Sequence, residues 1–245
     1  MHRRKFLKAS AVLSAGAAGA YALPLLTAFK SNATSSKDAS AKCRWGMVID
    51  LTRCPPDCTA CVDACKKENN VNTSGDNSRD IYRIRKVTME STLTAAPMQK
   101  AIPLLCNHCD NPPCALACPI KATYKREDGI VIVDPHRCMG CRYCMIACPY
   151  NARHFNFREN PVQTNPAYPK RQHGVAESCD LCSHLLDQGK RPACVEACAN
   201  MQANALIVGN LNDPNSEIAA IIRKHSVKRL REELGTEPKV FYIGL

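Results

Sequence analysis

Apolar and polar positions along this chain change over in short runs rather than long ones. Residues 45–51, W-G-M-V-I-D-L, are a run of strand length rich in Trp, Val and Ile, so a short strand is expected there. Residues 81–88 alternate apolar and basic side chains, which is the period of a half-buried strand. Residues 124–133 read as strand, Asp128-Gly129 turn and strand, and so predict a hairpin. Residues 205–208 give another short apolar strand. Asp213-Pro214 joins a capping side chain to a proline at the first helical position. A helix is expected from there to about His225, with a second piece ending before Gly235. Its apolar positions Ile218, Ile221 and Ile222 are expected to pack on the core. Residues 69–80 are polar and read as a loop. The Pro- and Asn-rich stretch 160–169 reads as a surface loop or a partner-contact arm.

The N-terminal segment has a different character. Residues 1–33 carry Arg3, Arg4, Lys5, Lys8 and Lys30 and no acid. Arg3-Arg4-Lys5-Phe6-Leu7-Lys8 resembles the twin-arginine export signal R-R-x-F-L-K, with His2 where that pattern prefers Ser or Thr. Residues 9–29 are weakly apolar and rich in Ala and Gly, and Pro24 interrupts them, which disfavours a stable membrane span. Ser31-Asn32-Ala33 has the small-x-small form of a cleavage site, and Ala20-Tyr21-Ala22 is a second candidate. An uncleaved anchor is the alternative. The expected organisation is therefore a signal segment over 1–33, a flexible linker over 34–42, a cysteine-bearing domain over 43–209, and a C-terminal helical extension over 210–245. The signal implies a periplasmic location, with membrane association through partner subunits. The C-terminal region has no apolar run long enough to span a bilayer.

The cysteines change the picture most. There are 17 of them among 245 residues, against 5% aromatic residues and a single Trp. An apolar core is then a weak organiser, and something the cysteines bind is a strong one. Disulfides are the simplest use of cysteine in an exported chain. Most of these cysteines, however, come in groups of four with gaps of two to four residues, too close for disulfide geometry. Zinc expects two C-x2-C pairs across a longer spacer, and only Cys179/Cys182 with Cys194/Cys198 resembles that. Iron–sulfur ligation is the reading that accounts for all four groups.

Cys138-Met139-Gly140-Cys141-Arg142-Tyr143-Cys144-Met145-Ile146-Ala147-Cys148-Pro149 reads C-x2-C-x2-C-x3-C-P, the general ligand run of bacterial ferredoxins. Its first three cysteines wrap a tight loop around one face of a cubane cluster, and the fourth points away to a neighbouring one. Gly140 is expected to relax the loop near the cluster, and Pro149 to stop the turn. Three further groups depart from this run. The first, Cys54, Cys58, Cys61 and Cys65, opens with a three-residue gap holding Pro55-Pro56, and Lys66 replaces the usual Pro, so its loop must bulge. The second, Cys106, Cys109, Cys114 and Cys118, has four residues between its middle cysteines. His108 inside it is expected to hydrogen-bond rather than ligate. The fourth, Cys179, Cys182, Cys194 and Cys198, carries an eleven-residue insertion with Gly189 and Pro192, expected to loop out. Cys43 stands outside the scheme as a bystander thiol.

Four groups of four give sixteen ligands, hence four expected [4Fe–4S] clusters if each group is complete, and the repetition suggests tandem two-cluster ferredoxin-like units. In such units the last cysteine of one group serves the other group's cluster. The second and third groups share the hairpin and should pair. One cluster then takes Cys106, Cys109, Cys114 and Cys148, and another Cys138, Cys141, Cys144 and Cys118. The first and fourth groups pair across the chain. Cys54, Cys58, Cys61 and Cys198 hold a third cluster, and Cys179, Cys182, Cys194 and Cys65 the fourth. The expected fold class is α+β, loop-rich, with short strands and helices organised by the clusters.

Charge follows from this. The 33 basic and 22 acidic residues give +11. Without residues 1–33 the excess falls to 28 basic against 22 acidic residues, or +6. Four oxidised cubanes with their thiolates would add about −8. The basic excess offsets the clusters, and no interleaving of aromatic and basic residues supports a nucleic-acid partner.

In order and spacing the four groups resemble the four-cluster ferredoxin subunits of membrane oxidoreductase complexes, the dimethyl sulfoxide reductase and polysulfide reductase type, over residues 43–245. The resemblance implies an electron wire rather than a catalyst. It implies a quinone-interacting, NrfD-type integral membrane subunit and a multihaem cytochrome c as partners, with other subunits of a DsrMKJOP-like, sulfite-reduction-associated complex. An independent reductase would need an open ligand position or a second cofactor. All four groups carry four cysteines, and there is no Gly-rich dinucleotide fingerprint. A zinc-stapled structural protein is the third reading, separable by colour.

Overall fold

A computed structural model describes residues 43–245 apart from 72, 77–78, 92–97 and 160–162. The export-signal and linker expectations for residues 1–42 lie outside the described residues. Strand β1 (Trp45–Asp50) leads into the first cysteine group and helix α1 (Ala60–Glu68). Strands β2 (Ile84–Ser91) and β3 (Met98–Leu105) form an antiparallel hairpin, and helix α2 (Pro113–Leu116) follows in the second group. Strands β4 (Thr123–Lys125) and β5 (Val131–Val133) are the hairpin expected around Asp128-Gly129. The third group carries α3 (Tyr143–Ala147), and β6 (His154–Phe155) pairs with β7 (Ala176–Glu177). The fourth carries α4 (Ser183–Leu186) and α5 (Ala193–Asn200). Then come β8 (Leu206–Asn210), α6 (Glu217–Lys224), β9 (Val227–Arg229), a 3-10 turn (Glu232–Leu234) and β10 (Val240–Ile243).

The main sheet runs β8-β1-β10-β9. β1 lies antiparallel to β8 and parallel to β10, with Met47 opposite Val240. Being central explains the apolar run of β1: Met47, Val48 and Ile49 are at most 1% exposed. Two helix pairs complete the frame. α1 packs on α5, and α2 packs on α3. Each pair joins two cysteine groups, the first to the fourth and the second to the third.

Several expectations need correction. The 210–245 segment is not a helical extension: among its described elements is one eight-residue α-helix, and the rest are strands β9 and β10 and a single 3-10 turn. That helix starts at Glu217, three residues late, because Ser216 is the cap, its Oγ accepting from the Ala219 N–H at 3.3 Å. Asp213-Pro214 forms the turn before it, with Asp213 accepting from the Asn215 N–H at 2.9 Å. Ile218 is fully buried, as expected for core packing, against Gly209 of β8. The eleven-residue insertion does not simply loop out, since Leu186 of α4 is buried. Strand β3 escapes the sequence pattern because Pro103 interrupts it. A two-stranded hairpin tolerates that proline on its unpaired side, and the Pro103 carbonyl accepts from Tyr242 Oη at 3.0 Å. The 160–169 stretch is neither free loop nor free arm where described. Asn165 and Tyr168 are bound through their carbonyls by Asn70 Nδ2, each at 2.9 Å, at the end of α1.

Candidate iron–sulfur sites

The two helix pairs gather the sixteen group cysteines into four neighbourhoods, and each mixes two groups. Cys54 and Cys61 share their electrostatic surroundings with Cys58 and with Cys198 of α5. Cys179 and Cys194 share theirs with Cys182 and with Cys65 of α1. Cys106, Cys109, Cys114 and Cys148 line one cavity. Cys144 lies near Cys138 and Cys118 of its own set and near Cys114 of the adjoining one, with Cys141 in the same loop. These are called the Cys54, Cys179, Cys106 and Cys138 sets. All seventeen cysteines are free thiols, and Cys43 is half-buried outside the four sets.

The donor chemistry fits a cubane in each set. Burial first of all pushes the thiols up, Cys61 and Cys109 to about 11, Cys65 and Cys106 to about 12. Thiols raised in this way become thiolates only if strong positive charge sits among them, which iron would supply. Each set also has an N–H aimed at a sulfur. Ala205 N donates to Cys198 Sγ at 3.2 Å, and Leu181 N to Cys179 Sγ at 3.4 Å. Ala122 N donates to Cys118 Sγ at 3.2 Å, and Ala176 N to Cys138 Sγ at 3.4 Å. Arg153 Nη2 donates to Cys114 Sγ at 3.1 Å. Hydrogen bonds to ligand sulfurs are a principal means by which proteins tune such clusters. Among the described residues no group of three or more His, Cys, Asp or Glu side chains is arranged to hold a single metal ion.

The irregular first group is held by a residue that sequence reading passed over. Lys86 Nζ of β2 donates to the carbonyls of Pro55, Pro56 and Cys58 at 2.6, 3.0 and 2.8 Å. The bulge at the double proline turns three carbonyls to one side, and one ammonium satisfies all of them. The alternation of 81–88 marked Lys86 as a solvent-facing residue and gave no hint of this role. A Lys86→Met chain should therefore be recovered with less iron than the parent chain. Iron analysis of protein purified without oxygen reads this directly, and unchanged iron would show the loop holds without its staple.

The Cys179 set is bordered by a polar network. Asn69 Nδ2 donates to the Cys65 carbonyl at 3.0 Å and reaches Cys65 Sγ and Cys182 Sγ at 3.6 and 3.8 Å. Arg83, 6% exposed, donates to Asn69 Oδ1 and pairs with Asp180 at 2.8 Å and Glu177 at 3.7 Å. Burial would raise the Asp180 carboxyl, but Arg83 beside it holds it down at about 2. Arg171 closes the network on Glu177 at 2.9 Å.

Two residues singled out from sequence have roles defined by backbone. Gly140 adopts φ +75°, and a Cβ there would lie 2.6 Å from the Gly174 carbonyl. Its glycine thus admits a crossing backbone segment as well as a tight ligand loop. His108 is buried at φ +43°, and its Nδ1 accepts from Val131 N at 3.1 Å. Burial, then Lys239, lower its pKa to about 3, so the ring is neutral and pins the second group to β5.

Comparison with known proteins agrees with this chemistry. Residues 98–207 match the family model of the 4Fe-4S dicluster domain. The chain is 44% identical to the Hdr-like menaquinol oxidoreductase iron-sulfur subunit 1 of Archaeoglobus fulgidus, over 100% of this chain and 98% of that protein. It is 39% identical to a tetrathionate reductase subunit of Salmonella typhimurium, over 99% of this chain and 88% of that one. It is 38% identical to protein NrfC of Escherichia coli, over 82% and 80%.

Proposed function

The chain belongs to the family of iron–sulfur electron-transfer subunits of membrane menaquinol oxidoreductases and related reductases, and from that premise we propose that it is a wire of four [4Fe–4S] clusters. The Cys54, Cys179, Cys106 and Cys138 sets are the ligands. The observation that carries the reading is the mixing of groups within every set, each with an N–H donor on a sulfur. Bound clusters of this kind accept and donate single electrons without making bonds. The chain's own part is to hold sixteen thiolates, keep water from the buried ones, and direct N–H donors at their sulfurs.

Finer readings build on this. Residues 1–33 are a twin-arginine signal that takes the loaded chain to the periplasm, and residues 34–42 are a linker to the cluster domain. No helix among the described residues is long and apolar enough to cross a membrane. The partners are an NrfD-type membrane subunit on the quinone side and a multihaem cytochrome c. Arg44-Trp45-Gly46-Met47-Val48-Ile49-Asp50, the three-residue first gap, Leu105-Cys106-Asn107-His108-Cys109 and Leu234-Gly235-Thr236-Glu237-Pro238-Lys239-Val240 resemble DsrO, the iron–sulfur subunit of the DsrMKJOP complex linked to dissimilatory sulfite reduction. A second reading, the equivalent subunit of another membrane oxidoreductase, is favoured by the 39% identity to the tetrathionate reductase protein over 99% of the chain.

The test is iron, acid-labile sulfide and zinc per chain, on protein purified without oxygen. About sixteen irons and sixteen sulfides are expected. Zinc in place of iron would overturn the wire. Gentle extraction of the native complex identifies the partners. A chain recovered without any membrane subunit would sink that part of the proposal.

A further inference from the structure

Two arginines are deeply buried among the described residues, and they are treated differently. Arg83 has Asp180, Glu177 and Asn69 as partners. Arg153, 1% exposed, has no carboxylate partner among the described residues. Its Nη2 donates to Cys114 Sγ at 3.1 Å, while its Nε and Nη1 are buried with no hydrogen-bond partner. It lines the cavity enclosed by Cys106, Cys109, Cys114 and Cys148. Cys114 shares a buried cluster with Cys144, against which Cys138 packs, so the guanidinium borders the neighbouring Cys138 set, and its charge acts at Cys144. The groups whose charge acts on this guanidinium are the sulfurs of Cys106, Cys114, Cys144 and Cys148, drawn from the two sets of candidate ligands.

We propose that Arg153 is the fixed cation that sets the reduction potentials of the two centres held by the Cys106 and Cys138 sets, raising both. This rests on the reading that those sets hold [4Fe–4S] clusters. Burying an unpaired charge is costly, and it persists where the site's own contents carry the opposite charge. An oxidised cubane with four thiolates carries about −2, and reduction by one electron makes it about −3. A nearby cation therefore stabilises the reduced state more than the oxidised one, so the electron is held at a higher potential. The hydrogen bond to Cys114 Sγ acts in the same direction by drawing charge from a ligand. No proton moves at Arg153, which keeps its charge at any working pH. It is a positioning residue for charge and never a relay.

The experiment is a dye-mediated redox titration of the loaded full-length chain, followed by spin resonance, with centres assigned through Cys109→Ser and Cys141→Ser variants. Arg153→Gln is expected to keep about sixteen irons. It should shift the reduction equilibrium of two centres at least tenfold toward the oxidised form, about 59 mV downward for one electron. The Cys106 centre should move further, because it loses a hydrogen bond as well as a charge. Arg153→Lys should restore most of the shift. Four unmoved potentials, or four equally lowered ones, would overturn the proposal. If the Gln variant loads poorly, Arg153→Met replaces it: a tenfold shift toward the oxidised form confined to the same two centres supports the charge effect, and unmoved potentials refute it. A parent chain without iron in these sets would instead remove the cluster reading, and this proposal with it.

Discussion

A Cys118→Ser chain purified without oxygen should retain about twelve of sixteen irons, and the lost centre should be that of Cys138, Cys141 and Cys144. Sequence proximity says the opposite, since Cys118 follows Cys106, Cys109 and Cys114. The geometry that decides is the packing of α2 on α3. It leaves Cys118 near enough to Cys144 for their charges to interact, and Ala122 N donates to the Cys118 sulfur at 3.2 Å. The same crossing places Cys148 on the cavity of the Cys106 set. A Cys148→Ser chain should therefore lose the other centre. The two variants form a reciprocal pair, read by the spin-resonance signals that each retains. If Cys118→Ser removes the Cys106 centre and spares its neighbour, the crossed assignment is wrong.

Ending the chain after Gly235 is expected to abolish recovery of soluble, iron-loaded protein. β10 would be lost from between β1 and β9, and with it Val240 and Tyr242, each 1% exposed. Each such side chain is worth about 1.5–3 kcal/mol in burial. Lys239 would also go, and its Nζ donates to the Gly129 carbonyl at 2.6 Å and pairs with Asp110 at 3.2 Å. The Tyr150–Thr236 hydroxyl contact would be lost too. Losses on this scale rival a whole domain's stability of about 5–15 kcal/mol. Yield of brown soluble protein is the measurement. A truncated chain with full iron and the parent's thermal midpoint would show β10 to be dispensable.

Much of the site was legible because ligand spacing is a local property. The C-x2-C-x2-C-x3-C-P run from Cys138 to Pro149 reads as a ferredoxin ligand run from spacing alone, and residues 98–207 match the 4Fe-4S dicluster domain. The β4–β5 hairpin was legible for the same reason, its turn being written in two adjacent residues. What stayed hidden depends on distant partners. Lys86 looks like one basic residue in an alternating strand until the Pro55-Pro56 bulge meets it. Arg153 carries no local mark of burial. β10 has only four residues, and its place beside β1 is fixed by pairing across almost the entire domain. Asp213-Pro214 misled because two adjacent start signals compete, and the Ser216 hydroxyl wins by reaching the Ala219 N–H.

The path into β10 has a consequence for biogenesis. Just before that strand, residues 236–239 run along the second group, with Asn111 N donating to the Thr236 carbonyl at 3.1 Å, Asp110 N to that of Glu237 at 3.0 Å, and Lys239 N to that of Asn107 at 2.9 Å. The next four residues pair with β1. One short segment thus joins the half built on the second and third groups to the half anchored by the first. It is also translated after every cysteine. The seam between the halves therefore cannot close until residues 236–243 have left the ribosome, when every cysteine has already been made.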